Sequence, residues 1–206
     1  MQLIWYGHAS FRLKIANTII AIDPYMDDSK IPVDVILISY WRFDHASRES
    51  IQKIRGENTI MFGTSEASGQ IFGCNTIRPG EKHPAGNVEI TAVSAYCFTR
   101  KNILEGSIIG FLIEGEGRAI YFTSDSEYIP EMLKIKADIM IVPVGGNTTM
   151  KPKEAAAAVN AIKPRIAIPM HYGFREGTID DAETLKELVS PETKVIILEE
   201  GKEITL

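Results

Sequence analysis

The residues in this chain whose types and placement suit chemistry are Asp44, His45, Cys97, Asp125 and His171. Asp44 and His45 follow the apolar run VDVILIS, Cys97 follows VEITAVSA, Asp125 follows RAIYFT, and His171 follows RIAIPM. Open sheets present their working groups at the carboxyl ends of strands, so this regularity says more than any one residue. Carboxylate oxygen and imidazole nitrogen are the donors that hold Zn, Mn or Fe with positions left for water. Such a metal generates a nucleophile near neutral pH. Singly, an Asp or a His in a loop is more often a cap or a surface group; delivered together from separate strands, they point to a metal site.

The elements that must position them can be read in order. FRLKI (11–15) and TIIAI (18–22) have the alternation and apolar content of a hairpin turning about Asn17, and Asp23 with Pro24 stops the second strand. A buried-looking strand over 33–39 then runs into a loop carrying Tyr40, Trp41, Arg42, Asp44 and His45. Ser47 caps a helix through Ile54, with Glu49 in its first turn where it suits the dipole. TIMFG reads as a strand, SEASGQIFG as a short helix ending at Gly73, and residues 88–95 as a strand. SIIGFLIE and RAIYFT form a second hairpin about Gly115 to Gly117.

ADIMIVPVGG is an unbroken apolar run of the kind a strand covered on both faces needs. Pro152 opens a helix over 151–162, a strand RIAIPMHYG follows, and a helix from Asp180 to Val189 precedes a terminal hairpin, KVIILEEGKEITL. No linker divides the chain and no repeat is visible, so residues 1–206 are expected to form one domain. The order predicts an α/β (α+β) architecture of two mixed sheets packed face to face, with helices outside.

With 206 residues, 45% of them apolar and 24% charged, the chain can fill one substantial core. A net charge of -5 with basic residues scattered singly excludes a long electrostatic track, so no nucleic acid and no membrane surface is expected as partner. A small-molecule substrate is expected, phosphorylated ones included, and self-association into a homo-oligomer is left open. The start, MQLIWYGHAS, has neither a basic n-region nor an apolar h-region, and no apolar run approaches the ~18 residues that span a bilayer, which predicts a cytoplasmic protein. Cys74 and Cys97 form no CxxC pair and read as reduced thiols.

Other residues have two readings each. His8 either orients a ligand or contacts substrate, or is a hydrogen-bonded loop histidine. Asp23 either supports one of the site histidines or is a turn residue. His83, in PGEKHPAG, is expected to face solvent. Gly145, Gly146, Asn147 and two threonines either present backbone N–H groups to a phosphate or carboxylate, or make a tight strand-to-helix connection. Trp41 walls a pocket or covers the loop.

WYGHASF (5–11), AIDP (21–24), FDH (43–45), SAYC (94–97), TSDS (123–126), PVGGNTTMKPKEAA (143–156) and IPMHYG (168–173) together resemble the metallo-β-lactamase superfamily. They are most similar to its branch of metal-dependent hydrolases related to L-ascorbate-6-phosphate lactonase. The resemblance covers almost the whole chain. It implies a four-layer αββα metallo-β-lactamase-like sandwich with the metal site at one edge. The family loop H-x-H-x-D-H corresponds here to Tyr40-Trp41-Arg42-Phe43-Asp44-His45. The resemblance therefore implies that the ligands of one metal are replaced at Tyr40, Arg42 and Cys97. It also implies that Asp44, His45, Asp125 and His171 hold the other; in a hydrolase built on that metal, Asp125 or Asp44 is the expected general base.

Arg42 has no acceptor and stays charged, so it repels a cation; paired with Asp125 or Asp44 it would stand in for the lost metal. Tyr40, with an ordinary pKa near ~10, suits hydrogen bonding or packing better than ligation. Cys97 reads as an inert buried thiol or as a zinc ligand.

Three functions follow. One is a hydrolase with a single divalent metal, Zn first and Mn or Fe as alternatives, acting on an ester, lactone or phosphoester. The second is a pseudoenzyme that binds no metal and serves as a binding or regulatory module. The third is thiol or redox chemistry at Cys97, which no neighbouring cysteine supports. A dinuclear nuclease is disfavoured by the missing ligands and the acidic charge.

Overall fold

The computed structural model describes residues 1–99 and 106–206. The first sheet comprises β1 (Gln2–Trp5), β2 (Phe11–Ile15), β3 (Thr18–Ile22), β4 (Val33–Ile38), β5 (Arg55–Gly63), β6 (Cys74–Thr76) and β14 (Glu203–Thr205), in the order β14-β1-β2-β3-β4-β5-β6. The second comprises β7 (Lys82–Ala85), β8 (Val88–Ser94), β9 (Ile109–Gly115), β10 (Arg118–Phe122), β11 (Ile139–Pro143), β12 (Ile166–Met170) and β13 (Lys194–Val195), in the order β13-β12-β11-β10-β9-β8-β7. Each sheet is mixed by the same rule. An antiparallel hairpin, β2–β3 or β9–β10, is followed by strands that run parallel to its second arm. The second arm and the strands after it therefore deliver their carboxyl ends to one edge.

β4 shows why the layers form. Val35 and Leu37 join the core between the sheets with Phe111 and Phe122, while Ile36 and Ile38 pack outward against Ile51 and Ile54 of α1 (Arg48–Ile54) and Ala67 of α2 (Ser65–Gln70). A strand buried on both faces must be apolar at every position, which is how VDVILI reads from Val35 onward. On the other outer face, α3 (Pro152–Ile162) turns Ala155, Ala158 and Val159 toward the second sheet, and α4 (Ile179–Leu188) packs beside it through Ala182 and Leu185. The result is the αββα arrangement of a metallo-β-lactamase fold. Ser47 caps α1 by accepting from the Ser50 N–H at 3.2 Å, and Thr178 caps α4 with Asp181 closing the box.

The predicted terminal hairpin is not formed. β13 extends the second sheet parallel to β12, and β14 pairs antiparallel with β1 in the first. Between them the chain crosses from one sheet to the other, with Leu198 buried and the Gly201 N–H bonded to the Trp5 carbonyl at 2.7 Å. Strands this short take their register from whichever sheet edge is open, so local pattern misassigns them. α2 ends at Gln70 rather than Gly73. His83 is not out in solvent: it sits on β7, half-buried, with its ring 4.9 Å from that of Phe62. Among the described residues no helix is long and apolar enough to cross a membrane.

Candidate metal centre

The carboxyl ends of β3, β4, β10 and β12 bring Asp23, Asp44 with His45, Asp125, and His171 to one edge of the sandwich, and the β1–β2 turn adds His8. His8, Asp23, Ser124 and His171 all adopt left-handed backbone, with φ of 51°, 45°, 57° and 63°. Such conformations cost a non-glycine residue about 1–2 kcal/mol each and cluster where structure is held for a purpose. Two bonds hold the His8 turn: its carbonyl accepts from Trp5 Nε1 at 3.0 Å and from the His171 N–H at 3.1 Å. That tie stacks the His8 ring 3.9 Å from the His171 ring.

Asp125 lies between two imidazoles. Its Oδ2 is 3.2 Å from His45 Nε2, and its Oδ1 is 3.2 Å from His171 Nε2. Asp44 Oδ2 is 3.6 Å from His8 Nε2. These pairs are close, yet His45 Nε2, both ring nitrogens of His8 and of His171, Asp44 Oδ1 and Asp125 Oδ1 are buried without a hydrogen-bond partner. Asp125 faces two of the imidazoles and Asp44 Oδ1 faces Arg42, while the three imidazoles themselves stand close enough to share a ligand. One nitrogen from each of His8, His45 and His171 can be chosen so that all lie within 4.8 Å of one another, and the three side chains are buried. Buried polar groups without partners are rare and call for a cause. A borderline divalent cation, which takes imidazole and carboxylate donors together, is a cause that relieves one nitrogen of each imidazole, leaving the second ring nitrogens of His8 and His171 to other partners. The residues present fit such an ion.

Behind these groups, a supporting set fixes their orientation. Asp23, fully buried, accepts from His45 Nδ1 at 2.8 Å, from the Ser39 N–H at 2.7 Å and from Ser39 Oγ at 2.5 Å. Ser39 Oγ in turn meets Ser124 Oγ at 2.6 Å. With Nδ1 bonded to Asp23, Nε2 is the His45 nitrogen left for a metal, on the side where Asp125 stands. Gly145 serves His171 differently: a Cβ there would stand 2.4 Å from the His171 carbonyl oxygen and 2.8 Å from its Nδ1. The electrostatics follow from burial and neighbours. Burial raises the Asp23 carboxyl, and its bonds to His45 and Ser39 only offset that. Burial also lowers the His8 imidazole. For Asp44 burial acts upward, but His8, His45 and Arg42 outweigh it and hold the carboxyl at about 2. Burial opposes charge on His45 too, yet Asp125 and Asp23 raise it well above its usual range; Asp125 is held well below its own by His171 and His45.

The neighbouring side of the loop is built differently. Cys97 directs its thiol at the carbonyls of Asp125 (3.1 Å) and Thr148 (3.0 Å). Tyr40 bridges to Ile108 and packs on the small cluster of Ala95, Cys97 and Ile108. The Arg42 guanidinium lies 5.6 Å from the centre of the Tyr40 ring, and its Nε is 3.4 Å from Asp44 Oδ1. Arg42 therefore pairs with Asp44, not with Asp125. Trp41 packs against the α1 side of the first sheet under Arg48. In the Gly145–Thr149 loop the N–H groups of Gly146 and Thr149 are taken by the carbonyls of Met150 and Gly146, as in a strand-to-helix connection.

Sequence reasoning gave no role to Ser39, Ser124 or Glu176, whose Oε2 is 3.9 Å from His171 Nδ1. Their types are too common in loops to stand out. The left-handed Gly7–His8 pair could have been suspected from the glycine alone.

Comparison with known proteins gives a consistent result. A sequence profile of the Beta-lactamase superfamily domain matches residues 2–171. A UPF0173 protein of Pyrococcus abyssi is 34% identical, over 86% of this chain and 86% of its own. A second protein of that organism, named a UPF0173 metal-dependent hydrolase, is 31% identical over the full length of both. Among solved structures, a candidate metal-dependent hydrolase from Parabacteroides distasonis superposes with a TM-score of 0.87 at 28% identity, covering 95% of this chain and 91% of that one.

Proposed function

The chain belongs to the beta-lactamase superfamily, and within it to the UPF0173 family, and we propose that it is a hydrolase using one divalent metal to cleave an ester, lactone or phosphoester of a small molecule. On the motifs quoted above, we place it beside the L-ascorbate-6-phosphate lactonase branch. The observation that carries the reading is that buried ring nitrogens of His45 and His171 lack hydrogen-bond partners while Asp125 stands 3.2 Å from each imidazole. His45, His171, Asp44 and Asp125 would hold the metal, Zn ahead of Mn or Fe, in an intracellular enzyme. When bound, the metal supplies Lewis-acid activation of water and of the scissile group.

The chain's own residues do the rest. Asp125, with one oxygen toward each imidazole, keeps His45 and His171 in register. Asp44, its carboxyl held at about 2 and its Oδ1 paired with Arg42 Nε at 3.4 Å, stays ionised and serves as an anionic donor beside the imidazoles. Asp23 holds the His45 tautomer. Arg42, beside Asp44 and a third exposed, offers its guanidinium to a substrate carboxylate or phosphate.

Metal analysis of protein purified without chelators tests this. About one equivalent is expected, lost in His171→Ala together with hydrolysis of a panel of aryl esters, lactones and phosphodiesters. A protein that binds no metal after loading would instead support the pseudoenzyme reading. The Arg42–Asp44 pair and the His45 imidazole held between Asp23 and Asp125 favour that reading by showing charge compensated without an ion.

A further inference from the structure

We propose that His8 is itself a ligand of this metal, so that the centre is built on three imidazoles, His8, His45 and His171, rather than two. The inference rests on the metal-dependent reading above and deepens it by assigning a residue that the strand-end pattern cannot supply.

His8 is 1% exposed, and both of its ring nitrogens are buried with no hydrogen-bond partner. A histidine that merely oriented Asp44 would donate to it, but the closest approach, Nε2 to Oδ2, is 3.6 Å, beyond a hydrogen bond. The backbone is spent on bringing the ring here: Gly7 and His8 both take positive φ, at 94° and 51°, and the His8 carbonyl is clamped by the His171 N–H and Trp5. The clamp couples His8 directly to a residue already assigned to the metal. Nitrogens held tetrahedrally by one ion at about 2.0–2.1 Å stand about 3.4 Å apart. The three imidazoles here offer nitrogens within 4.8 Å of one another, so side-chain rotations that close the widest pair by at most about 1.4 Å complete the set.

The inference also accounts for a gap in the loop Tyr40–His45, where Tyr40 and Arg42 bring no imidazole. His8 arrives from the β1–β2 turn of the same sheet and supplies a third imidazole to the centre. Three imidazoles favour zinc or iron(II) over magnesium or manganese, which prefer oxygen.

The chain has only four histidines, so the test is direct. Protein labelled with 15N-histidine and loaded with 113Cd is examined for cadmium–nitrogen coupling, with His83→Gln identifying the remaining signal. Coupling to His8, His45 and His171 and none to His83 is the expected result. Coupling to His45 and His171 without His8 overturns the inference while leaving the hydrolase reading intact; failure to bind cadmium, zinc, iron or manganese at all overturns both. As a second measurement, His8→Gln, checked for fold by circular dichroism, should weaken zinc about tenfold or more in a chelator competition. An unchanged affinity in a folded variant counts against ligation. If the variant does not fold, the coupling pattern of the unsubstituted protein decides.

Discussion

On the His45 side of the loop after β4, polar atoms converge and stay unpaired; on the Tyr40 side, a few ångströms away, they are absorbed into packing and local bonds. His8, His171 and His45 Nε2 face each other without hydrogen bonds, while the Cys97 thiol is aimed at two carbonyls and Arg42 settles between the Tyr40 ring and Asp44. A buried donor or acceptor left unsatisfied costs about 1–3 kcal/mol. Several together call for a cause, and a bound ion is the one the proposed function supplies. The contrast teaches where that proposal is to be tested: the unpaired side is the one that should respond to metal, and the packed side is not. Four predictions break or sharpen that contrast.

The largest effect is expected at Asp23, which sustains the unpaired side from behind. Asp23→Ala leaves the Ser39 N–H and hydroxyl and His45 Nδ1 without their acceptor in a fully buried place. Loss of about 3–5 kcal/mol in urea unfolding is expected, with metal content falling too. A cost under about 1 kcal/mol would show that the network is not under load.

Gly145→Ala comes next. The added methyl collides with the backbone and ring of His171, so crowding should cost about 1–3 kcal/mol and weaken metal binding, read by zinc competition. The same substitution at Gly117, where a Cβ meets nothing within 4 Å, has no ring to displace; its φ of +70° leaves backbone strain only, so metal affinity should hold.

Acidity probes the His45 side in the metal-free protein. His45 carries a folded pKa raised well above 6.5, so the stability it contributes is complete below about 6.5 and is lost as pH rises through the folded value. One proton gives a slope of at most about 1.4 kcal/mol per pH unit. Asp44 acts at the other end: with its carboxyl held at about 2 instead of 3.8, its contribution is present above about 4 and lost as pH falls toward 2. These two groups alone favour the range between roughly pH 4 and 6.5, and the lowered His8 imidazole opposes them in it, because burial disfavours its protonation as pH falls below about 6.5. Loading with zinc occupies the His45 lone pair, so the alkaline decline should vanish in urea titrations of the loaded form. A decline that persists with metal bound would remove His45 from the ligand set.

Much of this was legible beforehand, and the rest was hidden for identifiable reasons. Both hairpins, the doubly buried β4 and the helix opening at Pro152 follow from local pattern, and strand ends pointed to Asp44, His45, Cys97, Asp125 and His171, from which the family resemblance set Cys97 apart. The last two strands were misread because two or three residues carry too little pattern to choose between open edges of different sheets. β1 is four residues long, so the turn that aims His8 was not seen to leave a strand. Ser39 and Ser124 matter only because β4 and β10, from different sheets, end side by side, a proximity no local window contains. Gly145 could be recognised as a connection residue, but its reason lies in His171, which comes from another strand.

Arg42→Ala is the smallest effect and the finest test of the quiet side. The pair with Asp44 is 3.4 Å long and the Arg42 side chain is 32% exposed, so screening limits its worth to about 0.2–1 kcal/mol. Removing the guanidinium also takes away one of the groups holding the Asp44 carboxyl down, so carboxyl titration by 13C NMR should move upward in the metal-free protein. With a fixed cation gone from the edge of the site, zinc should bind a few-fold more tightly, because like charges near one another disfavour occupancy. A stand-in for a lost metal must show all three changes in those directions. If stability and metal content are both unchanged, Arg42 compensates nothing, and the Tyr40 side is quiet because it is packed, not because its charge is balanced.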